Sequence, residues 1–128
     1  MNYAVIAVVA AGGAIGSAAR YLIAGWVQSA AWEGFPYGIF VVNITGGLVM
    51  GILVELMALK WNVSLEMRAF LTTGILGGYT TFSTFSLDSA LLIERGAYTS
   101  AAIYIAGSAI LSVLALFAGL WIIRVLYA

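Results

Sequence analysis

Phe82 and Phe85 stand three residues apart in the stretch GGYTTFSTFS (Gly77–Ser86), interleaved with Thr81, Ser83, Thr84 and Ser86. That spacing puts both rings on one face of a helix. A ring edge carries partial positive charge. Beside hydroxyl donors, such an edge offers an anion a path with no full positive charge to trap it. A lone pair of phenylalanines would read more simply as packing; the hydroxyls around this pair favour an ion. Asn43 lies in the middle of another uncharged run. An amide there needs a partner, either on a neighbouring helix or in a pore. Tyr104, Ser108 and Ser112 recur at i, i+4 and i+8, which makes one hydroxyl stripe along an otherwise apolar helix. Arg20 is the deepest basic residue. It either gathers anions at a vestibule or snorkels to the headgroups.

The same stretch weakens its own helix. Gly77-Gly78 and Thr80-Thr81 do so through backbone freedom and β-branching. In hydrocarbon an opened turn is tolerated only where protein buries it or water reaches it. Freed carbonyls there suit a hard cation; hydroxyls and N–H groups suit an anion. The competing reading is a continuous helix whose Ser and Thr side chains bond back to their own carbonyls.

These residues need membrane helices to hold them. The 128 residues are 64% hydrophobic and 8% charged, with mean hydropathy +1.11. A soluble domain carries about 25% charged residues, so that class is excluded. Formal net charge is zero, which leaves no basic excess for phosphate. With no cysteine or histidine, disulfides, thiolate or imidazole metal sites and Ser-His or Cys-His catalysis are excluded as well. Uncharged runs long enough to span about 30 Å of hydrocarbon predict an all-α membrane protein, one four-helix transmembrane domain over residues 1–128. The helices are expected at 3–27, 38–59, 67–92 and 98–126, the third broken near Gly77–Thr81. The first reads as a span and not a signal peptide, because Met-Asn-Tyr carries no basic side chain and the apolar stretch is too long. Pro36 stands harmlessly before the second helix, and Gly96 is a helix stop.

With four spans both termini share a side, together with Lys60, Arg68 and Arg124; Arg95 and Arg20 belong to the other. Such an even count leaves orientation nearly unbiased. Either the chain simply has few charges, or it inserts both ways and two opposed copies supply the inverted symmetry that larger transporters encode as repeats. Small-xxx-small spacing at Gly12/Gly16, Gly47/Gly51, Gly74/Gly78 and Ser108/Ser112 allows close helix approach. With the small size of the bundle, it favours a homodimer.

GGAIGSAARY (Gly12–Tyr21), GIFVVNITGGLVMG (Gly38–Gly51) and GGYTTFSTFS (Gly77–Ser86) together resemble the fluoride channel family, Fluc or CrcB, over nearly the whole chain. The third motif is the most specific. The resemblance implies an antiparallel, dual-topology homodimer in the inner membrane with two fluoride pores. Phe82 and Phe85 would line the pore with ring edges towards fluoride, among Thr81 and Ser83, and Asn43 would donate beside them. Tyr104, Ser108 and Ser112 would form the hydroxyl track, with Arg20 at an aqueous vestibule. Backbone carbonyls of Gly77 and Thr80 from both subunits would hold a structural sodium ion. Ile39 departs from the family pattern where a threonine commonly joins the track, and Asp88 stands where the family often has glutamate. The function expected is passive fluoride export, and no enzyme. The rival is a small dual-topology, proton-coupled multidrug-type exporter. Such a pump needs a membrane-embedded carboxylate, and the only charge in the first helix is Arg20.

Overall fold

Asn2 opens the first helix. Its Oδ1 accepts from the N–H groups of Ala4 and Val5 at 3.0 and 3.2 Å, satisfying donors that a helix start leaves without partners. Helix α1 runs over Tyr3–Ser29. The computed structural model, which describes residues 1–128, continues with α2 over Tyr37–Leu59, directly after Pro36. Ser64 caps the short α3 (Leu65–Ala69), its hydroxyl accepting from the Met67 N–H at 3.1 Å. α3 passes into a π-wound stretch, Phe70–Leu76, and a last turn, α4 (Gly77–Tyr79). Thr80 and Thr81 are then extended (ψ 159° and 124°), and the chain restarts as α5 (Phe82–Glu94). Gly96, at φ 76°, ends that helix. Its N–H donates to Ile93 and that of Ala97 to Leu92, both at 2.9 Å; this paired closure needs a left-handed residue, which glycine adopts without strain. α6 (Tyr98–Tyr127) completes the chain.

Three helices, α1, α2 and α6, are each long and apolar enough to cross a membrane. The fourth crossing is the interrupted run from α3 to α5. The four expected spans are therefore present, each lengthened at one or both ends. The break falls at Thr80–Thr81, the far end of the expected stretch. Gly77 itself is helical, at φ −63° and ψ −36°. Glycine permits an opening there, but what opens the chain is a partner for the Thr81 backbone.

Only 18 of the 128 residues are buried, too thin a core for a soluble domain. The apolar side chains face outward instead, where lipid is as apolar as they are. Tyr3, Trp26, Trp32, Tyr98 and Trp121 are among the exposed aromatics, and they stand near helix ends, where interfacial belts form.

Inside the bundle, backbones touch. A Cβ on Gly16 would collide with the Ile75 carbonyl, and one on Gly51 with the Leu116 carbonyl. Gly12 and Gly78 likewise meet opposing backbone, as does Gly47 at Ser112. The glycine spacing expected to favour a second copy is thus used within one protomer and carries no argument for a dimer. α2 and α6 share the most extensive helix contact, and α1 lies along the π-wound stretch.

The two ends of the bundle differ. At one, Arg124 forks onto Glu55 at 3.1 and 3.2 Å, and Lys60 Nζ lies 5.4 Å from the Tyr127 ring centre. At the other, Gln28 Nε2 donates to Trp32 and Phe35 carbonyls while its Oε1 accepts from the Gly38 N–H. There Arg95 also donates to the Gly34 carbonyl at 3.2 Å. Lys60 and Arg124 thus share one side and Arg95 takes the other, as the four-span count requires.

Candidate functional site

In an unbroken helix the Gly77 and Thr80 carbonyls would accept from the N–H groups of Thr81 and Thr84. Neither bond forms. The Thr81 N–H donates to Asn43 Oδ1 at 2.8 Å, and the Thr84 N–H to Thr81 Oγ1 at 3.1 Å. Asn43 Nδ2 returns a bond to the Thr81 carbonyl at 3.1 Å. One side chain on α2 therefore satisfies both backbone groups of the residue at the break, as a buried opening demands. A second tie secures the turn before it. Thr45 Oγ1 donates to the Val41 and Val42 carbonyls, so Tyr79, 3.0 Å away, is the donor to Thr45.

Beside the break lies a cavity of about 470 Å³, lined by Asn43, Thr80, Thr81, Phe82, Phe85, Ser108 and Ser112. The structure thus gathers seven expected site residues from α2, the break, α5 and α6. The Phe82 and Phe85 rings are 5.5 Å apart and tilted by 46°. The Ser108 and Ser112 hydroxyls are buried and have no hydrogen-bond partner. A buried orphan hydroxyl is costly, about 1–3 kcal/mol. Asn43 keeps one of its two amide hydrogens after serving Thr81. The cavity therefore offers three uncommitted donors and ring edges, with no full charge in its lining.

Three serine hydroxyls of α5 have partners. Ser86 and Ser89 donate back to the Phe82 and Phe85 carbonyls at 2.8 and 2.7 Å. Thr81 and Ser83 hydroxyls lie 3.4 Å apart, and Ser83 does not reach the cavity. Back-bonding and a broken helix, posed as alternatives, thus coexist at different residues.

Tyr104 is fully buried and points elsewhere. Its ring is boxed by Phe35, Phe40 and Phe85, with centres 5.5, 6.3 and 5.3 Å away. Its hydroxyl donates to Asp88 Oδ2 at 3.0 Å. Asp88, although near the end of its helix, reaches inward and lines a second cavity, of about 580 Å³, with Ser17, Arg20, Gln28, Ile39 and Thr84. Arg20 faces that cavity and donates to the Thr80 carbonyl at 3.4 Å, so it turns inward and does not snorkel. The Tyr104–Asp88 contact has no signal within either helix, because each partner needs the other's position.

The Gly77 and Thr80 carbonyls suit a hard cation, since they are oxygen donors stripped of their helical N–H groups. Gly77 stands exposed at the protomer surface. Two carbonyls are too few, because such cations take about six oxygens. Arg20 also shares the Thr80 oxygen, although 3.4 Å is longer than a strong bond.

The orphan serines give a test in which stability and function part. Ser108→Ala combined with Ser112→Ala removes two unsatisfied hydroxyls. The thermal midpoint is expected to hold or rise, while anion flux falls by about five- to thirtyfold, as loss of one to two hydrogen bonds of about 1 kcal/mol each implies. Unchanged flux in the double variant would remove the rail.

The family model described as CrcB-like protein, Camphor Resistance (CrcB), matches residues 7–120, a span that holds every residue of both cavities. A fluoride-specific ion channel, FluC, of Agrobacterium fabrum is 53% identical over 122 residues, covering 95% of this chain and 98% of that protein. The FluC of Nitrobacter winogradskyi is 52% identical over 128 residues, covering 98% of this chain and all of its own. That of Rhodospirillum centenum is 53% identical over 121 residues, covering 93% and 94%. A match of this length, through the broken helix and both cavities, shows that the chain belongs to the CrcB-like family.

Proposed function

We propose that the chain is a passive, fluoride-selective channel of the inner membrane, built as an antiparallel homodimer of oppositely inserted copies. The carrying observation is the cavity beside the break, with two buried serine hydroxyls that no protein group satisfies. Fluoride is small and binds hydrogen-bond donors strongly, so close hydroxyl contacts can replace its water where a larger anion fits them poorly. The Ser108 and Ser112 hydroxyls and the free Asn43 N–H donate, and Phe82 and Phe85 present ring edges. Thr81 holds the turn. Arg20 raises anion concentration at the second cavity, and the Tyr104 hydroxyl donates to Asp88, which lines that cavity. The uncharged lining lets the ion leave again. Across an inside-negative membrane, about 2.3 kcal/mol per 100 mV favours anion exit, or roughly fifty-fold in the balance of fluxes.

Gly77 and Thr80 carbonyls of both copies would hold a sodium ion, which when bound supplies positive charge tying the copies together. Phe82, 79% exposed, is where a second copy would close the open cavity wall. The exporter rival lacks its proton carboxylate in α1, and the family model that the chain matches is the CrcB-like one. Purified protein in liposomes, loaded with fluoride or chloride, tests the reading. Rapid fluoride efflux with chloride retained is expected; equal leakage of both, or neither, overturns it.

Two further outcomes concern assembly. A C-terminal reporter is expected on both sides of the membrane, and two or three lysines added between Lys60 and Arg68 should fix one orientation and abolish flux. Co-expression with an oppositely biased version should restore it. A Cβ at Gly77 meets only the Thr72 carbonyl, at 3.5 Å, an ordinary contact. Gly77→Leu should therefore leave the protomer folded and break the dimer, seen as a halved mass in detergent. An intact dimer would count against carbonyls meeting across the interface.

A further inference from the structure

We propose that Asn43 and Thr81 are positioning residues that keep the Gly77 and Thr80 carbonyls free of backbone donors, by taking over the two N–H groups a continuous helix would aim at them; the long 3.4 Å contact from Arg20 is the one side-chain donor left at Thr80. The proposal rests on the sodium reading above and adds what creates the seat.

A broken helix does not by itself leave carbonyls bare. In hydrocarbon each orphaned N–H seeks the nearest acceptor, and the nearest acceptor is the carbonyl one turn back. Opening the turn and keeping it open requires competing acceptors. The structure has one for each donor. Asn43 Oδ1 holds the Thr81 N–H at 2.8 Å, and Thr81 Oγ1 holds the Thr84 N–H at 3.1 Å. The donors captured are those of Gly77 and Thr80, the two carbonyls suited to a cation. The capture at Thr81 is also an N-cap, with the residue at φ −150° and ψ 124° while α5 begins behind it. Asn43 is anchored on α2 and reaches the break across 38 positions of sequence, so its grip does not melt with the turn.

The arrangement also joins two sites. Asn43, whose amide oxygen frees the Gly77 carbonyl, also lines the cavity with Phe82 and Phe85 and has one N–H uncommitted. A cation drawing on that carbonyl would favour the open turn, and the open turn fixes the Asn43 amide. Cation occupancy and the geometry of the anion cavity are therefore linked through one side chain.

The test reads cation binding and not transport. Purified dimer is heated in sodium chloride or in N-methylglucamine chloride at equal ionic strength, and the sodium giving half of the full stabilisation is recorded. Thr81→Val keeps the branched shape and deletes the hydroxyl; Thr81→Ser keeps the hydroxyl. Supporting groups around a metal are commonly worth 10–100-fold in affinity. Thr81→Val is expected to raise the half-stabilising sodium by roughly that factor, and Thr81→Ser to restore it. Should the valine protein not fold, Asn43→Ala asks the same at the Gly77 carbonyl, with the same shift expected. Wild-type protein stabilised by sodium, with either foldable variant responding at the same concentration, overturns the positioning role and leaves the sodium reading standing. Wild-type protein indifferent to sodium overturns both.

Discussion

Liposomes carrying Phe82→Ile protein are expected to release fluoride about two- to twelvefold more slowly than wild type, with normal yield and unchanged assembly state. The size follows from the ring. An aromatic edge contact is worth about 0.5–1.5 kcal/mol, and 1.36 kcal/mol is tenfold in rate. Isoleucine presents methyl groups, which offer an anion nothing in exchange for its water. Stability should move little, because Phe82 is 79% exposed and takes almost no part in the protomer core. Phe85 is a poorer probe. It is half-buried, and its ring packs 5.3 Å from that of Tyr104, so Phe85→Leu mixes lost packing with lost function. Had Phe82 been a core residue, the inference from lost flux would be open to the same objection. Near-normal fluoride release from well-folded Phe82→Ile dimer would return the ring to lipid or interface packing.

The contrast between these two phenylalanines was not legible in the sequence, where their i, i+3 spacing makes them equivalent. The four spans were legible, because long uncharged runs in a chain this apolar have few other folds open to them. The break was legible in kind from Gly77-Gly78 and Thr80-Thr81. Its position was legible to within Gly77–Thr81 but not to the residue, since glycine only permits an opening and Asn43, 38 residues away, decides which N–H is taken. The stripe of Tyr104, Ser108 and Ser112 was correct as a face of a helix. It overlooked reach: the long tyrosine carries its hydroxyl to Asp88 and not to the serine-lined cavity, while Ser108 and Ser112 stop at the cavity wall. Glycine spacing misled for a similar reason. It reports that backbones touch and is silent on whether the neighbour is the same chain, as it is here.

Asn43→Asp is expected to have the largest effect of any single substitution, a loss of flux of about a thousandfold. The change replaces one atom and keeps the shape, so packing barely enters. Two consequences of charge and donor count do. First, Nδ2 now donates to the Thr81 carbonyl at 3.1 Å, and an ionised aspartate has only acceptors there. The Thr81 N–H keeps its partner, but the Thr81 carbonyl faces a carboxylate oxygen and loses its only side-chain donor. Second, a negative charge would stand in the wall of the cavity proposed for fluoride. Two like charges 4 Å apart at an effective dielectric of 20 repel by about 4 kcal/mol, which is about three powers of ten. Repulsion therefore outweighs the roughly 1 kcal/mol of one lost hydrogen bond. Asn43→Ser separates the two. It is uncharged and keeps a donor, but it is too short to bridge both backbone groups of Thr81, so its flux should lie between wild type and aspartate. Equal loss in the serine and aspartate proteins would mean that Asn43 acts through the turn alone. Fluoride release from the aspartate dimer at a tenth of wild type or faster would place Asn43 outside the ion's path.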